Sequence, residues 1–258
     1  MPVQTDQYII NSVLRAAQIL ESFSLEKKTY TNAELARKLG VNRSSVTRLL
    51  CSLERAGFLE RENQTGAFRL TYKLYKIGNT YIKQTNLHKA AIPVLSKLAL
   101  ASKETAHLAV LLNFKVSFID WVEAPQTIGL KSLSGADLPA HCTANGKALL
   151  AYLDHDMLTQ FFLDMPLKSY TANTITDPDA LKAHLVRVRE DGYAIDNGEF
   201  QEEVKGVACP LRDEKGQVIA SISIAGPIYR MNKKGTMKKL VPLVQNAAEG
   251  ISKRLGYF

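Results

Sequence analysis

Residues 31–57, TNAELARKLGVNRSSVTRLLCSLERAG, decide how the N-terminal part of this chain folds. Ala33, Leu35, Ala36 and Leu39 recur at helical spacing, and Thr31 with Glu34 three residues later forms a capping-box pattern. Gly40 ends that helix, because a residue without Cβ enters the left-handed turn cheaply. Asn42 can cap a second helix, whose buried face is Val46, Leu49, Leu50 and Leu53. Two short helices joined so tightly read as a helix-turn-helix.

The exposed face of the second helix points to DNA. Asn42, Arg43, Ser44, Ser45, Thr47 and Arg48 crowd its first two turns, where a recognition helix meets base edges and phosphates. An ordinary surface helix with small polar residues at its cap would show the same composition, so the following segment matters. Phe58–Arg61 and Ala67–Leu70 are short apolar runs around a polar turn ending in Gly66, a hairpin in the position of a wing. Arg61 and Arg69 are then candidate phosphate contacts, with solvated charge as the plainer alternative. A first helix is expected from Ile9 to about Phe23, on a stripe of Ile10, Val13, Leu14, Ala17, Ile19 and Leu20. The domain expected is 1–72, followed by a linker helix over 73–87.

Composition bounds the rest. The 258 residues suffice for two ordinary domains, 46% are hydrophobic, and the formal net charge is +8. The basic balance favours a polyanionic partner or an acidic ligand. Three widely spaced cysteines, Cys51, Cys142 and Cys209, argue against a disulfide framework or zinc finger and suit a reducing compartment. The N-terminus does not read as a signal peptide, and no window reaches the length of a membrane span. A cytoplasmic protein is expected.

Residues 88–258 alternate strands and helices. Strands are expected at 105–113 and 115–123, with a turn near Asn113 and Phe114, then at 128–133, 193–195, 204–210 and 218–226. Helices are expected at 88–101, from Asn145 or Gly146 toward Tyr152, at 158–162, 179–190 and 238–255. This is an α+β domain, an antiparallel sheet with helices on one side and a loop-to-helix junction at its edge where a small molecule can bind. His88 and Lys147 read as surface residues. His141-Cys142 invites a thiol-nucleophile reading, but neighbouring residues tend to point apart and no orienting acid is evident. Cys209 reads as a small buried apolar residue.

Several motifs in this second part are specific in combination. They are Leu138-Pro139-Ala140-His141 leading into 145–151, NGKALLA; 192–199, GYAIDNGE; 206–213, GVACPLRD; and Gly226-Pro227. With the helix-turn-helix, the chain over residues 10–255 resembles the IclR family of bacterial transcriptional regulators. That resemblance implies a winged helix-turn-helix followed by a GAF-like effector-binding domain that takes small, often carboxylated metabolites. It implies a pocket using Leu130, Leu138, Ala144, Asn145, Asp196, Gly206 and Ser223. The N–H groups of Ala144 and Asn145 would meet a carboxylate at a helix start. Asp196 would accept from ligand hydroxyls or order its loop, and Ser223 would donate from the sheet floor. Gly206 stands where many members carry Cys, Ser or Ala, and Ala225 where a second hydroxyl can occur. Both changes enlarge the pocket and suggest an effector bulkier than a two- or three-carbon acid, such as a sugar acid or aromatic acid.

The function expected is a ligand-responsive regulator, with repression the anticipated sign. It would bind a pseudo-palindromic double-stranded DNA operator as a homodimer or homotetramer, with no cofactor, metal or membrane partner. The alternatives are an enzyme turning over a small acid in the GAF-like domain and an architectural DNA binder without a ligand. The enzyme reading lacks a recognisable nucleophile–base pair, metal cluster or phosphate loop.

Overall fold

The structure, a computed structural model, describes residues 8–24, 26–84, 86–126 and 137–258. The chain divides into two compact units, Met1–Gln84 and Thr85–Phe258. The first contains α1 (Asn11–Glu21), β1 (Thr29–Tyr30), α2 (Asn32–Leu39), α3 (Arg43–Arg55), β2 (Leu59–Arg61), β3 (Phe68–Leu70) and α4 (Tyr72–Gln84). The capping box forms as its residues dictate: Thr31 Oγ1 accepts from the Glu34 N–H, and the Glu34 carboxylate accepts from the Thr31 N–H at 2.8 Å. Gly40, at φ 63°, closes α2. Ile19, Leu35, Val46, Leu50, Leu59 and Phe68 make the core of this unit. Each such side chain, fully buried, contributes roughly 1.5–3 kcal/mol relative to exposure.

Two details depart from the pattern read in sequence. The apolar stripe of α1 is buried only at its C-terminal half; Ile10, Val13 and Leu14 are 64%, 62% and 50% exposed, whereas Ile19 is fully buried. The two-residue β1 adds to the wing, giving strand order β1-β3-β2, and is too short to carry a period of its own.

The second unit contains α5 (Asn86–Ser102), β4 (Thr105–Leu112), β5 (Lys115–Val122), β6 (Asp137–Pro139), α6 (Ala144–Leu150), α7 (His155–Asp164), α8 (Pro178–Asp191), β7 (Ala194–Asn197), β8 (Val204–Arg212), β9 (Val218–Pro227), α9 (Ile228–Met231) and α10 (Thr236–Arg254). The sheet order is β6-β5-β4-β9-β8-β7, antiparallel at every pairing. The β4–β5 hairpin turns at Asn113 and Phe114, both in the left-handed region at φ 49° and 60°. The strand expected at 128–133 lies outside the described residues.

Helices cover both faces of the sheet, not one. Ala106, Leu108, Val207, Cys209, Ile222 and Ile224 pack with Leu95 and Leu98 of α5 and Val244 and Ile251 of α10. The alternate positions Ala109, Val116, Ala194 and Ala208 pack with Ala148 and Leu150 of α6, Phe161 of α7, and Leu181 and Leu185 of α8. The second face is built from small residues, Ala, Ser and Gly, in place of large apolar ones, so strand alternation does not announce it as buried. Small residues are what allow α6 to lie close against the strands. Among the described residues, no helix is long and apolar enough to cross a membrane.

Candidate functional site

The first candidate site is the start of α3. Asn42 caps the helix: its Oδ1 accepts from the Ser45 N–H at 2.8 Å and from Ser44 Oγ at 3.0 Å. Thr47 Oγ1 donates to the Arg43 carbonyl at 2.8 Å and accepts from Asn32 Nδ2 at 2.6 Å, tying α3 to α2. Asn42, Ser45 and Thr47 therefore shape the helix as well as facing outward. Arg43 and Arg48 are exposed and make no ion pair among the described residues. On the wing, Arg69 Nε lies 2.6 Å from Glu60 on the facing strand, and Arg61 lies 3.8 Å from Glu54 and stacks 4.6 Å above the Phe68 ring. Exposed pairs of this kind contribute only about 0–1 kcal/mol, so a phosphate can displace the carboxylates. Sequence reading missed Arg15, which with Ser12, Arg48 and Ser52 lines a groove between α1 and α3. The i, i+3 spacing of Ser12 and Arg15 was the available signal.

The second candidate site is a cavity of about 250 Å³ between the start of α6 and the sheet. A tight approach builds it. A Cβ on Gly146 would lie 2.2 Å from the Ala140 carbonyl oxygen, so glycine alone lets the 140–142 turn press against α6. Thr143 caps the helix by accepting from the Gly146 N–H, and its hydroxyl donates to the Pro139 carbonyl at 3.1 Å. Asn145 Nδ2 donates to Ser221 Oγ at 2.9 Å, fixing the helix start over β9. Leu138, Ala144, Asn145, Asp196, Gly206 and Ser223 all line this cavity, and Leu130 lies outside the described residues. Gly206 pairs in register with Asp196 on one side and Ala225 on the other. A Cβ there would lie 3.3 Å from the Ile224 carbonyl oxygen, 3.4 Å from the Ala225 Cβ and 3.7 Å from the Ala144 Cβ, so its absence relieves crowding between β8, β9 and α6.

Burial dominates the electrostatics of the site. Burial pushes the Asp196 carboxyl up to about 7, opposed by the Glu199 N–H that its Oδ1 accepts at 2.8 Å. Burial holds His107 down at about 4, so its imidazole is neutral. Lys147 is fully buried, not solvated: Nζ donates to the Ile195 carbonyl at 2.6 Å and to the Glu199 carboxylate. The close approach at Gly146 carries Lys147 onto the sheet, and Glu199 supplies the opposite charge that so deep a lysine needs. Among the described residues Glu199 Oε2 is buried without a partner. His88 lies at the surface near the start of α5, as read, and its Nδ1 is 2.8 Å from Asp120. Cys142 and His141 do not form a nucleophile pair. Burial pushes the Cys142 thiol up to about 12, and His141 Nε2 sits 3.0 Å from the Lys168 carbonyl. Cys209 is buried in the apolar core. Sequence reading missed His107, Phe118 and Phe200 in the cavity wall.

A winged helix-turn-helix joined to a unit with a sheet-floored cavity defines a class: the DNA-binding regulator with a small-molecule receptor domain. The IclR helix-turn-helix domain matches residues 12–63, and the bacterial transcriptional regulator IclR C-terminal domain matches residues 79–253. The chain belongs to the IclR family of bacterial transcriptional regulators. It is 31% identical over 248 residues to the HTH-type transcriptional regulator KdgR of Escherichia coli, covering 96% of this chain and 94% of KdgR. A solved IclR regulator from Silicibacter superposes with TM-score 0.88 at 26% identity, covering 96% of this chain and 97% of that one. An IclR homologue from Microbacterium hydrocarbonoxydans, solved with 4-hydroxybenzoate, gives TM-score 0.78 at 26% identity over 95% and 98% of the two chains. The protein is accordingly a transcriptional regulator with a DNA-binding and an effector-binding domain, and not an enzyme.

Proposed function

We propose that the protein is a cytoplasmic repressor that binds a pseudo-palindromic operator as a homodimer or homotetramer and changes its operator affinity when a carboxylated effector fills the cavity. One recognition helix reads too few base pairs alone, so two copies of α3 are needed. Arg43 and Arg48 contact bases or phosphates, supported by Asn42, Ser44, Ser45 and Thr47, while Arg61 and Arg69 contact phosphates from the wing. In the second unit, the N–H groups of Ala144 and Asn145 hold the carboxylate, and the Ser223 hydroxyl donates to a ligand oxygen from the sheet floor. Asp196 takes a ligand hydroxyl, and Leu138 and Leu130 supply apolar contact. We read the boundaries as 1–72 for DNA binding, 73–87 for the linker helix and 88–258 for the effector.

The observation that carries the effector reading is the size of the cavity. At about 250 Å³ it has room for roughly eight waters, more than a two- or three-carbon acid occupies. Gly206 and Ala225 keep it open, which favours a sugar acid or an aromatic acid. The 4-hydroxybenzoate held by the Microbacterium homologue is of the second kind. Thermal shift against both classes, followed by calorimetry, tests the proposal. Stabilisation by an acid of six or more carbons is expected. Tightest binding with glyoxylate or pyruvate would contradict it.

A further inference from the structure

His107 lies on β4, paired in register with Ser223 on β9, and it lines the cavity. It is 5% exposed, and its ring packs at 4.9 Å from Phe118. Among the described residues its Nδ1 is buried with no hydrogen-bond partner, whereas Nε2 is not sealed in this way. A polar ring atom left so deep without a partner is uncommon in a folded protein. A neutral imidazole carries one proton, on one nitrogen. An enclosed N–H without an acceptor is costlier than an enclosed lone pair, so the proton belongs on Nε2, the nitrogen left open. His107 is then a donor held rigidly by Phe118. The cavity also reaches Asp196 on β7, three strands away in the sheet order. Three strand spacings are roughly 14 Å between backbones. Between those two residues lie Ser223, the register partner of His107, and the start of α6 with Ala144 and Asn145, so the cavity offers polar groups along its length.

We propose that His107 selects effectors that carry a second oxygen, hydroxyl or carbonyl, besides the carboxylate, donating to it from Nε2. This deepens the effector reading above and rests on it. An acid lacking that oxygen leaves the buried donor unpaired, which penalises the wrong ligand more than it rewards the right one.

The test uses the full chain and two matched pairs of acids: 4-hydroxybenzoate with benzoate, and 6-hydroxyhexanoate with hexanoate. Affinities are measured by calorimetry for the wild type, His107→Phe and His107→Gln, with the unliganded melting temperature of each variant as the folding control. In the wild type at least one hydroxylated acid is expected to bind tenfold or more tightly than its partner. His107→Phe erases that ratio, and His107→Gln, which retains a donor, restores part of it. A ratio near one in the wild type, or a ratio that persists in His107→Phe, overturns the role of His107 while leaving the sensor reading intact. If no acid of either pair binds, the carboxylate reading falls with it.

Discussion

Replacing Lys147 by Met removes the positive half of a buried ion pair and leaves the other half in place. Lys147 is fully buried and Glu199 is 6% exposed. Without Nζ, the Glu199 Oε1 atom retains only the long 3.4 Å contact from the Asn197 N–H, and Oε2 has no partner at all. The Ile195 carbonyl also loses its donor. Breaking one side of such a pair is strongly destabilising, about 3–5 kcal/mol. For a unit of this size that is a fall in melting temperature of roughly 10 °C. The single tryptophan, Trp121 on β5, reports on this unit alone. Urea unfolding followed by its fluorescence gives the free energy, with unchanged slope marking an unchanged fold. Lys147→Met/Glu199→Gln removes both charges and is expected to cost about half as much as the single change. A single variant that loses less than 1 kcal/mol, or a double variant as unstable as the single, would refute the reasoning.

Gly146→Ala sets a Cβ against the Ala140 backbone and is expected to destabilise by well over 2 kcal/mol, read by the same fluorescence assay. His107 is held below its ordinary 6.5, at about 4, so the stability linked to its neutrality is present above pH 6.5 and is lost as pH falls toward 4. That loss amounts to about 2–3 kcal/mol, and His107→Gln should narrow the gap in unfolding free energy between pH 7 and pH 4 by that amount. Gly206→Ser should weaken binding of a bulky acid tenfold or more; its Cβ comes 3.3 Å from the Ile224 carbonyl, so the unliganded melting temperature, read in parallel, should fall only modestly. Arg43→Ala and Arg48→Ala should each weaken binding to promoter DNA and lower the salt dependence, while calorimetric affinity for the effector is kept.

The DNA-binding unit was legible because its signals are local. Thr31, Glu34, Gly40 and Asn42 punctuate it within a dozen residues, and each acts on its own helix end. The long strands β4, β5, β8 and β9 were legible by alternation; β1 and β6, at two and three residues, have no period to show. What sequence hid was determined at long range. Lys147 looked solvated because its ion partner Glu199 is 52 residues away, and nothing in NGKALLA announces burial. The second sheet face did not announce its burial, because Ala and Ser there signal neither core nor solvent. His107 was hidden inside an apolar strand whose register neighbour, Ser223, comes from the far end of the domain. The motif residues Ala144, Asn145, Asp196 and Gly206 were found by family resemblance, and the structure supplies their reason, a cavity roofed by a helix that only Gly146 allows so close.

The claim on which the account turns is that filling the cavity changes the grip on DNA. The direct measurement is fluorescence anisotropy of the protein on DNA from its own promoter region, at fixed salt, with and without a saturating acid identified by calorimetry. Linkage predicts at least a fivefold change in operator affinity, mirrored by an equal change in acid affinity when DNA is bound. An acid that binds tightly at the cavity yet leaves the DNA titration superimposable would contradict the account.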